Sequence, residues 1–118
     1  MDRPTIHRKE KPEAKVRDAI RDYLTLRNWY VKMTHGNAFT EGWPDLFCCH
    51  ASYGQRWVEV KLPQMKGSKF TSAQLRDFPK FIAFGSGVWI LTGGSEEEYQ
   101  KLFQPPNFWQ YLDVWKHV

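Results

Sequence analysis

The topology depends on the stretch Arg56-Trp57-Val58-Glu59-Val60-Lys61. Its alternation and its valines predict a β-strand over residues 56–62. The alternation places Glu59 and Lys61 on one face of that strand and the two valines, which are suited to a core, on the other. A carboxylate and an ammonium two positions apart most often form a solvated pair or half of a cross-strand pair. This stretch therefore indicates a site only if a further acidic group lies nearby.

Asp45 is the acidic group that changes this interpretation. A second strand is predicted over residues 45–49, directly after Gly42-Trp43-Pro44, and Ser52-Tyr53-Gly54-Gln55 predicts a turn. The two strands are expected to form an antiparallel hairpin in which Asp45 lies beside Glu59. Two such carboxylates repel each other unless a cation lies between them, and a hard divalent ion suits their oxygens. An Asp after a Pro is also common in ordinary turns, and that alternative stays open.

The other segments predict an α/β domain with a central mixed sheet flanked by helices. Apolar residues recur at helical spacing from Glu13 to about Arg27, after Pro12 in the first turn. Pro79 is expected to kink or break a later helix, because an interior proline costs about 3 kcal/mol. The helix that contains Pro79 is predicted to be capped by Thr71 or Ser72 and to reach about Ala83. Two strands are predicted over 29–34 and 88–91. A short helix is predicted to open with a Ser95–Glu98 capping box and to reach about Phe103.

Glu13 supplies a third candidate acid. It shares the core-facing stripe of the first helix with Val16, Ile20 and Leu24. An acid in such a position needs a partner or a metal, because burying it unpaired is costly. The alternative is that Glu13 merely complements the helix dipole. Glu10, one turn earlier, competes for the role of N-terminal acid.

Composition and charge limit the class of protein. The 118 residues predict one domain over residues 12–118, preceded by a basic arm over 1–11. At 42% hydrophobic, with six Trp and eight Phe, the chain is suited to a packed core. A net charge of +4 and a pI of about 9.1 favour an anionic partner such as nucleic acid, although a solvated basic surface gives the same balance. The basic residues crowd two regions: Arg3, Arg8, Lys9, Lys11, Lys15 and Arg17, and then Lys61, Lys66, Lys69 and Arg76.

Cysteine usage and hydropathy predict a soluble cytoplasmic protein. Cys48 and Cys49 are adjacent in a strand, so they point to opposite faces and make a poor shared metal site. Two cysteines alone do not form a disulfide scaffold, which favours a reducing compartment. No stretch at the N-terminus is typical of a signal peptide, and no run of about 18 apolar residues predicts a membrane span.

The order and spacing of the acidic and basic residues resemble a known group of enzymes. Glu13, then Gly42-x-Pro44-Asp45, then Glu59-x-Lys61, then Gln74 are similar to the PD-(D/E)XK nuclease superfamily, and more closely to its VRR-NUC group. The resemblance extends from about Glu13 to Leu91. It implies a restriction-endonuclease-like core and a metal-dependent DNA endonuclease that hydrolyses phosphodiester bonds, using Mg²⁺ or Mn²⁺ and no small-molecule cofactor.

The resemblance also assigns roles to individual residues. Asp45, Glu59 and the backbone carbonyl of Val60 would bind the metal ion, and Lys61 would be the catalytic lysine. Glu13 would act through water or as an outer ligand. Gln74, on the following helix, would help to arrange the site, with Thr71 in support.

Substrate and assembly follow only by analogy. Small stand-alone relatives resemble Holliday-junction resolvases, which act as homodimers; since one chain offers one active site and a four-way junction has paired strands to cut, a two-fold dimer is expected. The stripe of Phe108, Leu112 and Trp115, with Tyr111 beside it, is predicted to pack on the domain itself or on a second copy. A restriction-type or flap nuclease and a catalytically silent nucleic-acid-binding subunit are the alternatives. The candidate DNA contacts are Arg8, Lys9, Lys11, Lys66 and Lys69.

Overall fold

A four-stranded mixed sheet lies between helices in the described part of the chain. The computed structural model describes residues 12–34, 41–66 and 68–116. The predictions made for the basic arm, including Glu10, Arg8, Lys9 and Lys11, lie outside these residues. The elements are α1 (Pro12–Thr25), β1 (Tyr30–Met33), β2 (Leu46–His50), β3 (Gly54–Val60), a 3-10 turn (Pro63–Met65), α2 (Ser72–Ala83), β4 (Val88–Leu91), α3 (Glu96–Gln100), a second 3-10 turn (Lys101–Phe103) and α4 (Phe108–Lys116).

The sheet has the order β1-β2-β3-β4. β1 pairs antiparallel with β2, and β2 pairs antiparallel with β3, with Leu46 opposite Val58. β4 lies parallel to β3, with Glu59 opposite Ile90, and the intervening α2 provides the crossover that a parallel pair requires. The predicted hairpin of the second and third strands is therefore confirmed.

Each face of the sheet carries its own hydrophobic cluster. The cluster under α1 contains Ile20 and Leu24 together with Val58 and Val60 of β3. The opposite cluster, under α2 and α4, is built on Phe78 and Phe108 with Met65, Phe70, Val88 and Ile90. The valines of β3 thus face α1, as the alternation predicted, and Glu59 and Lys61 face the other side.

Helix α2 runs through Pro79 to Ala83, so the proline neither breaks the helix nor ends it. Phe78 is fully buried, and Phe81 and Ile82 pack on the same cluster, so apolar contacts on both sides of the proline hold the helix together. This packing offsets the missing hydrogen bond of Pro79.

The capping box predicted for Ser95 and Glu98 forms only in part. The Ser95 hydroxyl accepts from the Glu98 amide at 3.3 Å, but the Glu98 carboxylate accepts from the Thr92 amide at 2.7 Å and from the Lys101 ammonium at 2.7 Å. This arrangement anchors α3 to the end of β4.

The aromatic stripe of α4, given by Phe108, Tyr111, Leu112 and Trp115, packs on its own domain, which is the first of the two packing alternatives left open by the sequence.

Candidate active site at the end of strand β3

Asp45 and Glu59 meet across the β2–β3 hairpin. The backbone N–H of Asp45 donates to Glu59 Oε1 at 3.1 Å, and the backbone N–H of Val60 donates to Asp45 Oδ2 at 3.0 Å. Gly42 sets the turn that leads to Asp45: it has φ +85°, and a Cβ there would overlap the Asp77 carboxylate and lie 3.1 Å from the Ala73 carbonyl of α2. The positive φ and the close approach to α2 both favour glycine at this position.

Lys61 is buried beside Glu59. Both side chains are 2% exposed, and Lys61 Nζ lies 3.4 Å from Glu59 Oε2. The ammonium also donates to the Lys69 carbonyl at 2.7 Å and to Gln74 Oε1 at 3.2 Å. The Phe70 ring centroid lies 4.8 Å from Nζ. The three protons of the ammonium thus have three oxygen acceptors, in a pocket that encloses the charge.

Gln74 connects α2 to the buried ion pair. Its Nε2 donates to Glu59 Oε2 at 2.8 Å, while its Oε1 accepts from Lys61 and from the Thr71 amide at 3.1 Å. The Thr71 hydroxyl accepts from the Gln74 amide in return, which completes a capping box at the start of α2. The residues that begin the helix therefore also orient the acid and the lysine of the site.

Glu13 reaches the same region from α1. It is half-buried, and its Oε2 accepts a hydrogen bond from the Ser68 hydroxyl. It also acts electrostatically on Glu59, because its charge raises the pKa of that carboxyl. The N-terminal acid proposed from the sequence is thus brought to the site, and its immediate partner is Ser68.

The electrostatics of the cluster centre on Glu59. Burial raises the pKa of Glu59 well above its ordinary value, and the charges of Asp45 and Glu13 raise it further, while Lys61 acts in the opposite direction. When ionised, three carboxylates beside one ammonium carry an excess negative charge that a divalent cation balances. The donor set is one of hard oxygens, which Mg²⁺ and Mn²⁺ prefer. The chemistry of these residues therefore fits such an ion.

The present hydrogen bonds limit how an ion would be held. No group of three or more His, Cys, Asp or Glu side chains within the described residues is arranged to hold a metal ion. Both oxygens of Glu59 accept N–H hydrogen bonds, so an ion would compete with Gln74 for one of them. Water and backbone oxygens would have to complete its coordination, which is usual for Mg²⁺. Val60 meets Asp45 through its amide, and a role for its carbonyl stays a prediction.

Sequence reasoning missed the part of the site contributed by the loop before α2. Ser68 binds Glu13, the Lys69 carbonyl accepts from Lys61, and the Phe70 ring lies against the Lys61 ammonium. This loop has no regular periodicity, and a backbone carbonyl has no signature in sequence. Its position between Lys61 and the helix cap is the signal that could have indicated it. The candidate DNA contacts Lys66 and Lys69 are exposed on the same loop.

Comparison of the chain with protein-family models, with curated proteins and with solved structures found no match. Among the described residues, no helix has the length and apolar character needed to cross a membrane. The functional interpretation therefore rests on the geometry of the Asp45, Glu59, Lys61 and Gln74 cluster.

Proposed function

We propose that this protein is a metal-dependent DNA endonuclease of the PD-(D/E)XK type, similar to the VRR-NUC group. The observation that carries the proposal is the convergence of Asp45, Glu59, Lys61 and Gln74 at the end of β3, with Glu13 acting on the same carboxylate. Those are the residues that the resemblance named as catalytic or supporting. They come from α1, the β2–β3 hairpin and α2, so distant parts of the sequence supply one site.

Asp45 and Glu59 would hold Mg²⁺ or Mn²⁺, with Glu13 as an outer ligand or a ligand through water. When bound, such an ion supplies Lewis-acid stabilisation of the scissile phosphate. Lys61 would exchange one of its neutral acceptors, the Lys69 carbonyl or Gln74 Oε1, for the attacking water or a phosphate oxygen. A buried ammonium in that position stabilises the negative charge that develops as water attacks phosphorus and the P–O bond breaks. Where Lys61 gives up the Lys69 carbonyl, Gln74 Oε1 would still hold the ammonium in place.

The proposed substrate is branched DNA, such as a four-way junction, cut by a homodimer. One site per chain is the basis for this proposal, because symmetric cutting of paired strands needs two sites. The aromatic stripe of α4 packs on its own domain, so it does not provide an open dimer surface. A dimer interface would have to use another part of the chain, and light scattering in the presence and absence of DNA would identify the assembly.

A catalytically silent nucleic-acid-binding subunit is a second candidate, favoured by a specific observation. All three acceptors of Lys61 are protein oxygens, and both oxygens of Glu59 accept protein hydrogen bonds. A cluster satisfied in this way also suits a purely structural ion pair. The distinction is experimental, because a structural pair neither binds Mn²⁺ nor supports cleavage.

A cleavage assay on a panel of DNA structures tests the proposed function. Duplex, flap, single-stranded and four-way substrates would be incubated with the protein in Mg²⁺, in Mn²⁺ and in EDTA. Metal-dependent cutting with a preference for the four-way substrate supports the proposal in full. A preference for flaps or for a duplex sequence would support the assignment as a nuclease and contradict the proposed branched substrate. Binding without cutting in either metal would favour the silent subunit.

A further inference from the structure

A pocket beside the candidate active site has the chemistry of a nucleotide-binding site. It has a volume of about 990 Å³ and lies between the 3-10 turn and following loop on one side and the end of α4 on the other. Its lining includes Met65, Lys66, Ser68, Lys69, Trp115 and Lys116. Its volume is at the upper end of the range of about 300–1,000 Å³ typical of small-ligand sites, so it has room for a base, its sugar and a phosphate.

The charge of this pocket is opposite to that of the acidic cluster. Lys66, Lys69 and Lys116 are its only ionisable lining residues in the described part of the chain, and all three are exposed. Lysine binds phosphate as a point charge, and a polyanion that meets several lysines gains affinity by releasing counterions. The pocket therefore favours an anion next to a site whose carboxylates favour a cation.

An aromatic ring and apolar atoms complete the pocket. Trp115 is half-buried, and its ring is positioned by an edge contact with Phe70 at 5.8 Å between centroids. Met65 is buried in the opposite wall. Unpaired bases stack on aromatic side chains, whereas the stacked bases of an intact duplex do not expose their faces. The combination of Trp115 and lysines fits one unpaired nucleotide better than a duplex backbone.

The wall of this pocket is joined to the candidate catalytic residues through backbone and side-chain contacts. Lys69 contributes its side chain to the pocket and its carbonyl to the Lys61 ammonium, and Ser68 binds Glu13. Gln64 and Met65, both in the pocket wall, have φ of 60° and 62°, a region that side-chain-bearing residues rarely adopt. Strained backbone of this kind concentrates at functional sites.

We propose that this pocket binds an unpaired nucleotide of the DNA substrate, with its base against Trp115 and its phosphates among Lys66, Lys69 and Lys116. The inference rests on the proposed function for the identity of the substrate, and the binding itself requires no cleavage. The pocket would position the scissile phosphate at Asp45 and Glu59 by holding a neighbouring nucleotide of the same strand. Such a pocket would give the protein a preference for DNA with unpaired or distorted strands.

Fluorescence anisotropy measures binding of the protein to a labelled oligothymidylate and to a labelled blunt duplex. The measurement is made in EDTA, so cleavage does not contribute. Lys66→Gln combined with Lys116→Gln should weaken binding of the single strand by about tenfold, and the salt dependence should flatten by about 0.7 log units for each phosphate that the variant no longer binds. Lys69 is kept so that the loop whose backbone carbonyl accepts from Lys61 is not altered. The matched control combines Lys32→Gln with Lys80→Gln, two exposed lysines outside the pocket.

Trp115 is tested by a graded pair of variants. Trp115→Leu should weaken single-strand binding by about fivefold or more, and Trp115→Phe should restore most of it, since the stacking surface depends on an aromatic ring. Trp109→Leu, at a 53% exposed position on the same helix, is the control. Thermal melting of each variant separates a loss of binding from a loss of folding.

The outcomes distinguish this proposal from the proposed nuclease. Selective loss of single-strand binding in the pocket variants supports the pocket even if no metal-dependent cutting occurs. Equal effects of the pocket and control lysines, no binding of the single strand by the wild type, or an unchanged affinity in a folded Trp115→Leu variant would overturn it. Any of these would leave the nuclease proposal standing if cutting is observed.

Discussion

The side chains of Asp45 and Glu59 accept hydrogen bonds from each other's backbone segment: the Asp45 amide donates to Glu59 Oε1 at 3.1 Å, and the Val60 amide, which follows Glu59, donates to Asp45 Oδ2 at 3.0 Å. Each carboxylate is therefore oriented by the backbone that carries the other. This reciprocal arrangement depends on the antiparallel register of β2 and β3, so the pairing of the hairpin is also the geometry of the proposed metal site.

We expect Asp45→Asn to weaken Mn²⁺ binding by more than about 100-fold, because even residues that only orient metal ligands contribute about 10–100-fold. The asparagine carbonyl oxygen can still accept from the Val60 amide, so the fold should be kept. Isothermal titration calorimetry with Mn²⁺ measures the effect. Asp22→Asn, at an exposed position on α1, is the control. Mn²⁺ binding equal to that of the wild type would rule out Asp45 as a ligand.

Lys61→Ala should lose most of the cleavage activity and retain Mn²⁺ binding, because the lysine is proposed to act on the phosphate and not on the metal. Lys61→Arg should rescue poorly. A planar fork does not match three acceptors gathered around a compact ammonium, and the buried position leaves little room for it. Single-turnover cleavage with parallel calorimetry separates the two properties. Cutting by the alanine variant at the wild-type rate would contradict the assigned role.

Gln74→Glu should reduce the cleavage rate by about 10–100-fold, in line with the loss of groups that orient metal ligands. The substituted carboxylate can keep the acceptor role toward the Thr71 amide and Lys61, but it cannot donate to Glu59 and repels it instead. The cap of α2 is thereby retained while the orientation of Glu59 is lost. Gln74→Ala is the comparison, because it removes both the side-chain part of the α2 cap and the hydrogen bond to Glu59. If the glutamate variant were as active as the wild type, the amide would have no positioning role.

The stability of the metal-free protein should depend on pH through Glu59. Burial first, then Asp45 and Glu13, raise the pKa of Glu59 above its ordinary value of 4.5, and Lys61 opposes the shift. The folded state therefore binds this proton more tightly than the unfolded state does. The resulting stability is fully present below pH 4.5 and is lost as the pH rises through the folded-state pKa.

Thermal melting in EDTA across this pH range checks the sign. The melting temperature of the wild type minus that of Glu59→Gln should fall as the pH rises above the ordinary value, because the glutamine does not titrate. Glu97→Gln, which alters an exposed acid on α3, is the control. The melting temperature of the wild type minus that of this control should not change with pH. A difference that increased with pH would mean that Glu59 is stabilised as a carboxylate in the fold.

The sequence predicted the hairpin and the face of Glu59 because both depend on local signals. Alternation, a turn and a preceding Gly-x-Pro determine which side chains can meet, and the register of the sheet follows from them. The helix through Pro79 could not be predicted in the same way. Its persistence depends on Phe78 packing against Phe108 and Phe70, contacts that join distant positions in the chain.

The surroundings of Lys61 were beyond the sequence for a different reason. The carbonyl of Lys69 and the ring of Phe70 belong to an irregular loop, where no periodicity indicates orientation. The presence of Trp115 and Lys66 in one pocket is likewise a consequence of how α4 returns to the 3-10 turn. Tertiary packing, and not local propensity, creates both the enclosure of the lysine and the basic pocket.

The most direct test of the central claim is cleavage of a labelled four-way junction by the wild type and by Asp45→Asn, prepared in parallel and resolved on denaturing gels. We expect cutting by the wild type in Mg²⁺ or Mn²⁺, none in EDTA, and a rate reduced by more than about 100-fold in the variant. A folded wild-type protein that cut no DNA of the panel in either metal, or equal cutting by Asp45→Asn, would contradict it.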